Sequence, residues 1–170
     1  QQFGEFITRR FGAEPWGNVT RKAGLEGKVF SNGETYPDPD LFALVAAAGE
    51  LTELPPSRLL QDFGQYLAQE LLKLGGVLGL IHGEWRTFEI MEHTFETMHA
   101  SLTAINPRLT PPEIRFVHLD QDNMAIAYRS TRRLCLLLKG IVMGMAEHFH
   151  EQIEISELVC MLKGGPLCRI

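Results

Sequence analysis

The chain has 170 residues, 45% of them apolar and 22% charged, with a formal net charge of −5. That length supports one domain with a real core, and the acidic balance excludes the dense basic face that nucleic-acid binding needs. No apolar run reaches the roughly 18 residues of a bilayer span, which excludes a helical membrane anchor within these residues.

The first elements are short. Phe3 to Phe11 is amphipathic and Gly12 stops it. Pro15 to Ala23 predicts a second helix, with proline in its first turn and Gly24 past its end. Residues 27–39 are rich in Gly, Asn, Asp and Pro and predict a loop. Asp40 to Leu51 predicts a helix that Asp38 or Asp40 can cap. After Pro55-Pro56-Ser57, Arg58 to Leu74 repeats its apolar positions at helical spacing. Residues 75–83 carry no clear pattern, and their glycines suit a break between helices better than a phosphate cradle.

A longer helix is predicted from Glu84 to Ile105, with Phe88, Met91, Phe95, Met98, Leu102 and Ile105 as its buried stripe and Asn106-Pro107 as its stop. Beyond Pro111-Pro112 the period changes to two. Ile114, Phe116 and His118 alternate with Glu113, Arg115 and Val117, the Asp120–Asn123 cluster turns, and Met124, Ile126 and Tyr128 alternate again, which is a hairpin. Arg132 to Phe149 predicts a helix, Gln152 to Lys163 a third strand, Gly164-Gly165-Pro166 a turn and Leu167 to Ile170 a fourth strand. Helices first, then strands and one helix, make an α+β fold. No repeat or linker divides it, so residues 1–170 are expected to be a single domain. Both termini read as cut, because Gln1-Gln2 is not a natural start and Cys168-Arg169-Ile170 opens a strand.

Three groups of residues can carry chemistry. Tyr128, Ser130 and Arg132 sit at alternate positions, so an extended backbone puts three donors on one side, aimed at an anion such as a carboxylate. The alternative is structural: Ser130-Thr131 caps the next helix and Arg132-Arg133 forms its solvated first turn. That placement opposes the helix dipole, whereas an anion there is favoured. His99, 29 residues upstream of Tyr128, offers a neutral nitrogen beside an apolar wall that includes Phe95, Met98 and Leu102. A lone histidine is more often a boundary residue, and His93, turned about 120° away on the same helix, is expected to be exposed. One imidazole plus an anion clamp is what a protein needs to hold a haem by its iron and its propionates. Cys135, Cys160 and Cys168, separated by 25 and 8 residues and without a compact CxxC motif, form the third group, which could hold zinc or pack as core cysteines. An odd number of cysteines does not make a disulfide framework, and a reducing cytoplasm is expected. Nucleophile-elbow, Walker and dinucleotide motifs are missing, and the acidic residues select no catalytic pair, so no enzyme activity is expected.

The segments FGAEPW, LLQDFGQYL, MHASLTAINPRLTPPEIRF and AYRSTRRLCLLLKG resemble the haem nitric oxide/oxygen-binding domains of bacterial sensors and of soluble guanylate cyclase, over essentially the whole chain. The resemblance implies a mainly helical N-terminal part packed on a C-terminal four-stranded antiparallel sheet with a helix, and haem b held between the two. It implies His99 as the iron ligand, Tyr128, Ser130 and Arg132 as propionate ligands, and Pro112 as the residue that presses on the macrocycle. Oxygen-binding relatives carry a tyrosine nine residues after the motif tyrosine; here that position is Leu137, and the second polar pocket position corresponds to Leu67. A dry pocket favours nitric oxide and carbon monoxide over oxygen. The C-terminal part resembles bacterial members with a structural zinc on three cysteines and a histidine, which implies Cys135, Cys160 and Cys168 as ligands with Glu157 at the histidine's position; His148 and His150 are not placed. Thiol switching is the alternative use of those cysteines. The implied partner is a histidine kinase, or a diguanylate cyclase or phosphodiesterase, and the rival is a cofactor-free or zinc/thiol redox-switch interaction module on the same fold.

Overall fold

A computed structural model describes all residues except 32, 33, 35 and 106–109, and all side chains of the rest except those of Glu96, Leu102 and Ile105. The expected stop at Asn106-Pro107 and the stripe positions Leu102 and Ile105 therefore lie outside the described residues.

The order is α1 (Gln2–Phe11), α2 (Ala13–Lys22), α3 (Asp38–Thr52), α4 (Pro56–Val77), α5 (Thr87–Ile105), β1 (Glu113–His118), β2 (Met124–Arg129), α6 (Cys135–His148) and β3 (Cys168–Arg169), an α+β fold. In α1 the apolar residues Phe3, Phe6 and Ile7 fall on one face and are buried. Gly12 ends it at φ +97, a backbone setting that glycine adopts without Cβ strain. Asp38 and Asp40 do not cap α3. Its N-cap is Pro37, with no side-chain cap, and the two acids lie inside the first turn, where they favour the helix dipole instead.

Two apolar clusters form. One gathers α1–α3 and the start of α4 around Phe3, Ile7, Val19, Ala48, Leu59 and Phe63. The other gathers the rest of α4 with α5, α6 and the sheet around Leu72, Met91, Phe95, Ile126, Leu138 and Met145. Helix α4, about 33 Å long by its rise per residue, runs through both. It crosses α6 at backbone contact. A Cβ on Gly140 would stand 2.0 Å from the Gln61 carbonyl oxygen, and one on Gly64 2.3 Å from that of Leu137.

In α5 the buried face is Thr87, Ile90, Met91, Thr94 and Phe95. Phe88 and Met98, placed in the stripe by spacing, are only half-buried. The sheet has the order β1-β2-β3, antiparallel, with Ile114 opposite Tyr128 and Phe116 opposite Ile126. The expected third strand is corrected: within residues 152–163, positions 152–158 alternate between exposed and half-buried, Val159 makes an isolated bridge to Arg169, and Met161–Lys163 is a 3-10 turn, while the expected fourth strand is β3. Strand β3 is two residues long and leaves the rest of that stretch no ladder to join. Helix α6 begins at Cys135, not Arg132, because Arg133 adopts φ +52. Among the described residues no helix is long and apolar enough to cross a membrane.

Candidate functional site

Pro111 and Pro112 just before β1, together with residues of α5 and α6, border one cavity. It is largely apolar, with a volume of about 250 Å³. His99 enters it from α5, and Tyr128, Ser130 and Arg132 enter from the end of β2 and the turn after it. Pro112 and Leu137 line it as well. Two other predicted residues are not brought into the lining: Leu67 packs between the two apolar clusters and Met98 is half-buried on α5; the predicted Leu102 side chain lies outside the described residues.

His99 is half-buried, with Phe95 packed edge-on at 5.5 Å and 83°. Thr103 Oγ1 donates to the His99 carbonyl at 2.8 Å and ties the turn below. Burial lowers the imidazole pKa from its ordinary value with no other contribution, so the ring is neutral near pH 7. Neutral imidazole in an apolar wall is a metal ligand in waiting.

The three polar residues are set by local hydrogen bonds. Leu134 N–H donates to the Tyr128 hydroxyl oxygen at 3.1 Å, and Arg132 N–H donates to Ser130 Oγ at 3.2 Å. Both hydroxyls accept in these bonds, and the Ser130 side chain also hydrogen-bonds the Tyr128 hydroxyl, so the two form one local donor set. Burial raises the Tyr128 pKa above its ordinary value and keeps that donor protonated. Arg132 Nε lies 2.7 Å from Asp38 Oδ1. The Asp38 carboxylate therefore already offsets the guanidinium charge, and Arg132 borders both this cavity and the neighbouring pocket that Asp38 lines.

The residues therefore fit a large, mostly apolar group with an acidic edge and a metal centre. A haem has that chemistry: the apolar walls could face its ring, His99 could reach its iron, and two hydroxyls and a guanidinium could take its propionates. Several lining residues carried no signal in the motif. Leu134, Leu138 and Ile141 follow from helical spacing about Leu137. Asp38, 94 positions from Arg132, follows from nothing local. His93 is exposed and stacks on Trp85 at 4.9 Å, outside this cavity.

A second cluster lies behind the first. Cys135 Sγ is 3.8 Å from Cys160 Sγ, which is 3.9 Å from Cys168 Sγ, and all three residues are buried. Each can offer one sulfur to a single ion. Burial raises the Cys168 thiol and pushes Cys135 up to about 12, so these are neutral thiols that an ion must deprotonate. Glu157, expected as a fourth ligand, does not join that group of three. Its carboxylate pairs with Lys139 and with Lys163, the latter at 2.9 Å, and those bonds hold its pKa down at about 2. His148 and His150 do not join it either.

Comparison with known proteins adds three findings. The sequence profile described as "Haem-NO-binding" matches residues 1–157. Soluble guanylate cyclase gcy-31 of Caenorhabditis elegans is 24% identical over 162 residues, 92% of this chain and 22% of that protein. Soluble guanylate cyclase 89Db of Drosophila melanogaster is 23% identical over 95% of this chain and 25% of its own length. The chain thus spans about a quarter of these relatives. Among solved structures, an H-NOX protein from Shewanella oneidensis in the Fe(II)NO ligation state superposes with a TM-score of 0.87 at 22% identity, covering 99% of this chain and 92% of that one. An H-NOX mutant from K. algicida gives 0.80 at 18% identity, with 99% and 90% covered. At these identities the superpositions establish the fold.

Proposed function

The chain belongs to the haem-NO-binding family, and from that premise we propose that it is a haem b gas sensor for nitric oxide and carbon monoxide that discriminates against oxygen. The observation that carries this reading is the meeting of His99, Tyr128, Ser130 and Arg132 around one apolar cavity. Haem supplies the ferrous iron at which a diatomic gas can bind. His99 would hold that iron, and the Tyr128 and Ser130 hydroxyls with Arg132 would hold the propionates. Leu137, Leu138 and Ile141 present no hydrogen-bond donor from α6. Oxygen depends on such a donor for a lasting complex more than the other two gases do.

His99 serves as the tether. It lies on α5 in the same lining as Pro112, so a bond from His99 to iron would tie α5 to the bound group, and loss of that bond would free α5 relative to β1. Such coupling is a difference in partner affinity between two states, typically about 1–3 kcal/mol. The partner reading is a histidine kinase or a diguanylate cyclase or phosphodiesterase; the curated relatives are themselves cyclases. The chain itself is assigned no catalysis. Three buried thiols suit a reducing bacterial cytoplasm.

Zinc is the ion proposed for Cys135, Cys160 and Cys168. Sulfur separations of 3.8 and 3.9 Å suit an ion at about 2.3 Å from each. A divalent ion on three thiolates leaves one negative charge, and Lys139 and Lys163 around Glu157 leave one positive charge beside it. The favoured form is therefore a three-thiolate ion with the lysines as counter-charge.

One experiment tests the main reading. The ultraviolet–visible spectrum of reduced, haem-loaded protein is recorded before and after nitric oxide, and then in air. A Soret band that moves with nitric oxide and forms no lasting oxygen complex is expected. A stable oxygen spectrum would sink the discrimination, and failure to hold haem would sink the sensor.

A further inference from the structure

Tyr128 stands between the two clusters. Its hydroxyl lines the cavity, while its Cα pairs directly opposite Cys168 across β2 and β3. Paired residues on neighbouring antiparallel strands project to the same face, so the phenol ring and the Cys168 thiol are neighbours. From the other side, the hydroxyl takes its hydrogen bond from the N–H of Leu134, the residue immediately before Cys135. Tyr128, Cys135, Cys160 and Cys168 all belong to one buried cluster with Leu138, a residue of the cavity wall.

The connections are short as well as contiguous. Cys135 is the first residue of α6, and Leu137, Leu138 and Ile141 follow it within two turns. Cys168 opens β3, which has only two residues and a short ladder to β2. As free thiols, the sulfurs hold β3 to α6 by packing alone. An ion on the three sulfurs would fix β3, the 160–168 loop and the start of α6 to one another. Those are the parts that set where the Tyr128 hydroxyl points.

We propose that the thiol cluster and the cavity are thermodynamically linked through Tyr128, so that a divalent ion on the cysteines tightens the hold on haem. Tyr128 acts here as a positioning residue: ion capture reduces the motion that the propionate clamp must lose when it closes. This inference rests on the haem and zinc readings above. Linkage of this kind is reciprocal, so haem must strengthen the hold on the ion by the same factor.

The test uses haem-loaded protein, either loaded with one zinc or stripped by a chelator, with zinc content measured by elemental analysis. The rate of haem transfer to excess apomyoglobin is then followed. Zinc-loaded protein is expected to lose haem about fivefold more slowly than stripped protein, within the usual range of coupling between sites. Tyr128→Phe keeps the ring against the thiols but removes the hydroxyl; it is expected to lose haem faster and to erase most of the zinc effect. Ser130→Ala loosens the clamp without touching the link and should keep the full zinc effect. Cys168→Ser should behave like stripped wild type whether or not zinc is added, and this holds even if the Phe variant retains too little haem to follow.

The outcomes separate the layers. Wild type that never takes zinc overturns the zinc reading and this inference with it. Wild type that holds both groups yet loses haem at equal rates with and without zinc overturns the inference alone. A full zinc effect in Tyr128→Phe shows that the link does not pass through the hydroxyl and overturns its assigned role.

Discussion

The two clusters solve opposite problems. Around the cavity, His99 and the Tyr128–Arg132 group border about 250 Å³ of largely apolar space. Around the cysteines, the Cys160 sulfur lies 3.8 and 3.9 Å from those of Cys135 and Cys168. Empty apolar volume costs stability, so the first site favours a bulky guest. The second is a buried thiol cluster whose side chains already pack on one another. The lesson is that ligand-binding chemistry can be built as a deficit or as a surplus, and the two respond differently to mutation.

The sharpest way to break this comparison is His99→Ala. Removing the imidazole that enters the lining should cut haem retention at least tenfold, read as the Soret absorbance per protein after desalting, with partial recovery in added imidazole. Unchanged retention would mean that iron is not held there. Next comes Gly140→Ala, which strikes α6 where it serves both clusters. A methyl aimed 2.0 Å from a backbone oxygen cannot be absorbed by a side-chain rotation. Thermal melting should show a loss of about 3 kcal/mol or more. A neutral result would mean that α4 and α6 separate easily.

Leu137→Tyr adds a donor to the cavity wall. One hydrogen bond is worth roughly 1–1.5 kcal/mol, so an oxygen complex should persist about tenfold longer in air-exposed ferrous protein than in wild type. No change would place the gas elsewhere. The smallest expected effect lies beside the thiols. Glu157 has a folded pKa of about 2, below the roughly 4.3 of an unfolded glutamate. Its lysine pairs therefore contribute fully above about pH 4.3, and that contribution is lost as pH falls towards 2. Glu157→Gln should cost no more than about 1 kcal/mol at pH 7 and should flatten the melting temperature across that acid window. An unaltered acid profile would mean that the two lysine pairs do not form in solution.

The cavity was legible because its residues are local. A period of two in residues 113–118 and 124–129 dictates a hairpin, and the alternation of Tyr128, Ser130 and Arg132 puts their side chains at one end of it. The thiol cluster was legible as a set of residue types. Its neighbours were not: Glu157 reaches Lys139 across 18 positions, and only the packing of residues 152–158 over α6 brings them together. Residues 152–158 illustrate a further limit. Alternating burial is a property of any extended segment on an apolar surface, and it becomes a strand only when a partner of matching length lies alongside. With β3 so short, the pattern was present and the ladder was not. The start of α6 was misread for a related reason. Arg132 and Arg133 have good helix propensity, but the bonds of Ser130 and Tyr128 to the backbone of residues 132 and 134 bend the chain into a turn first.

Arg132 has one guanidinium and two claims upon it. Asp38, in the first turn of α3, already stands 2.7 Å from its Nε. An acid group entering the cavity therefore meets a cation that is half neutralised, and it must either share that charge or draw it away from α3. In either case the opening turn of a helix in the other half of the molecule registers that the guest has arrived.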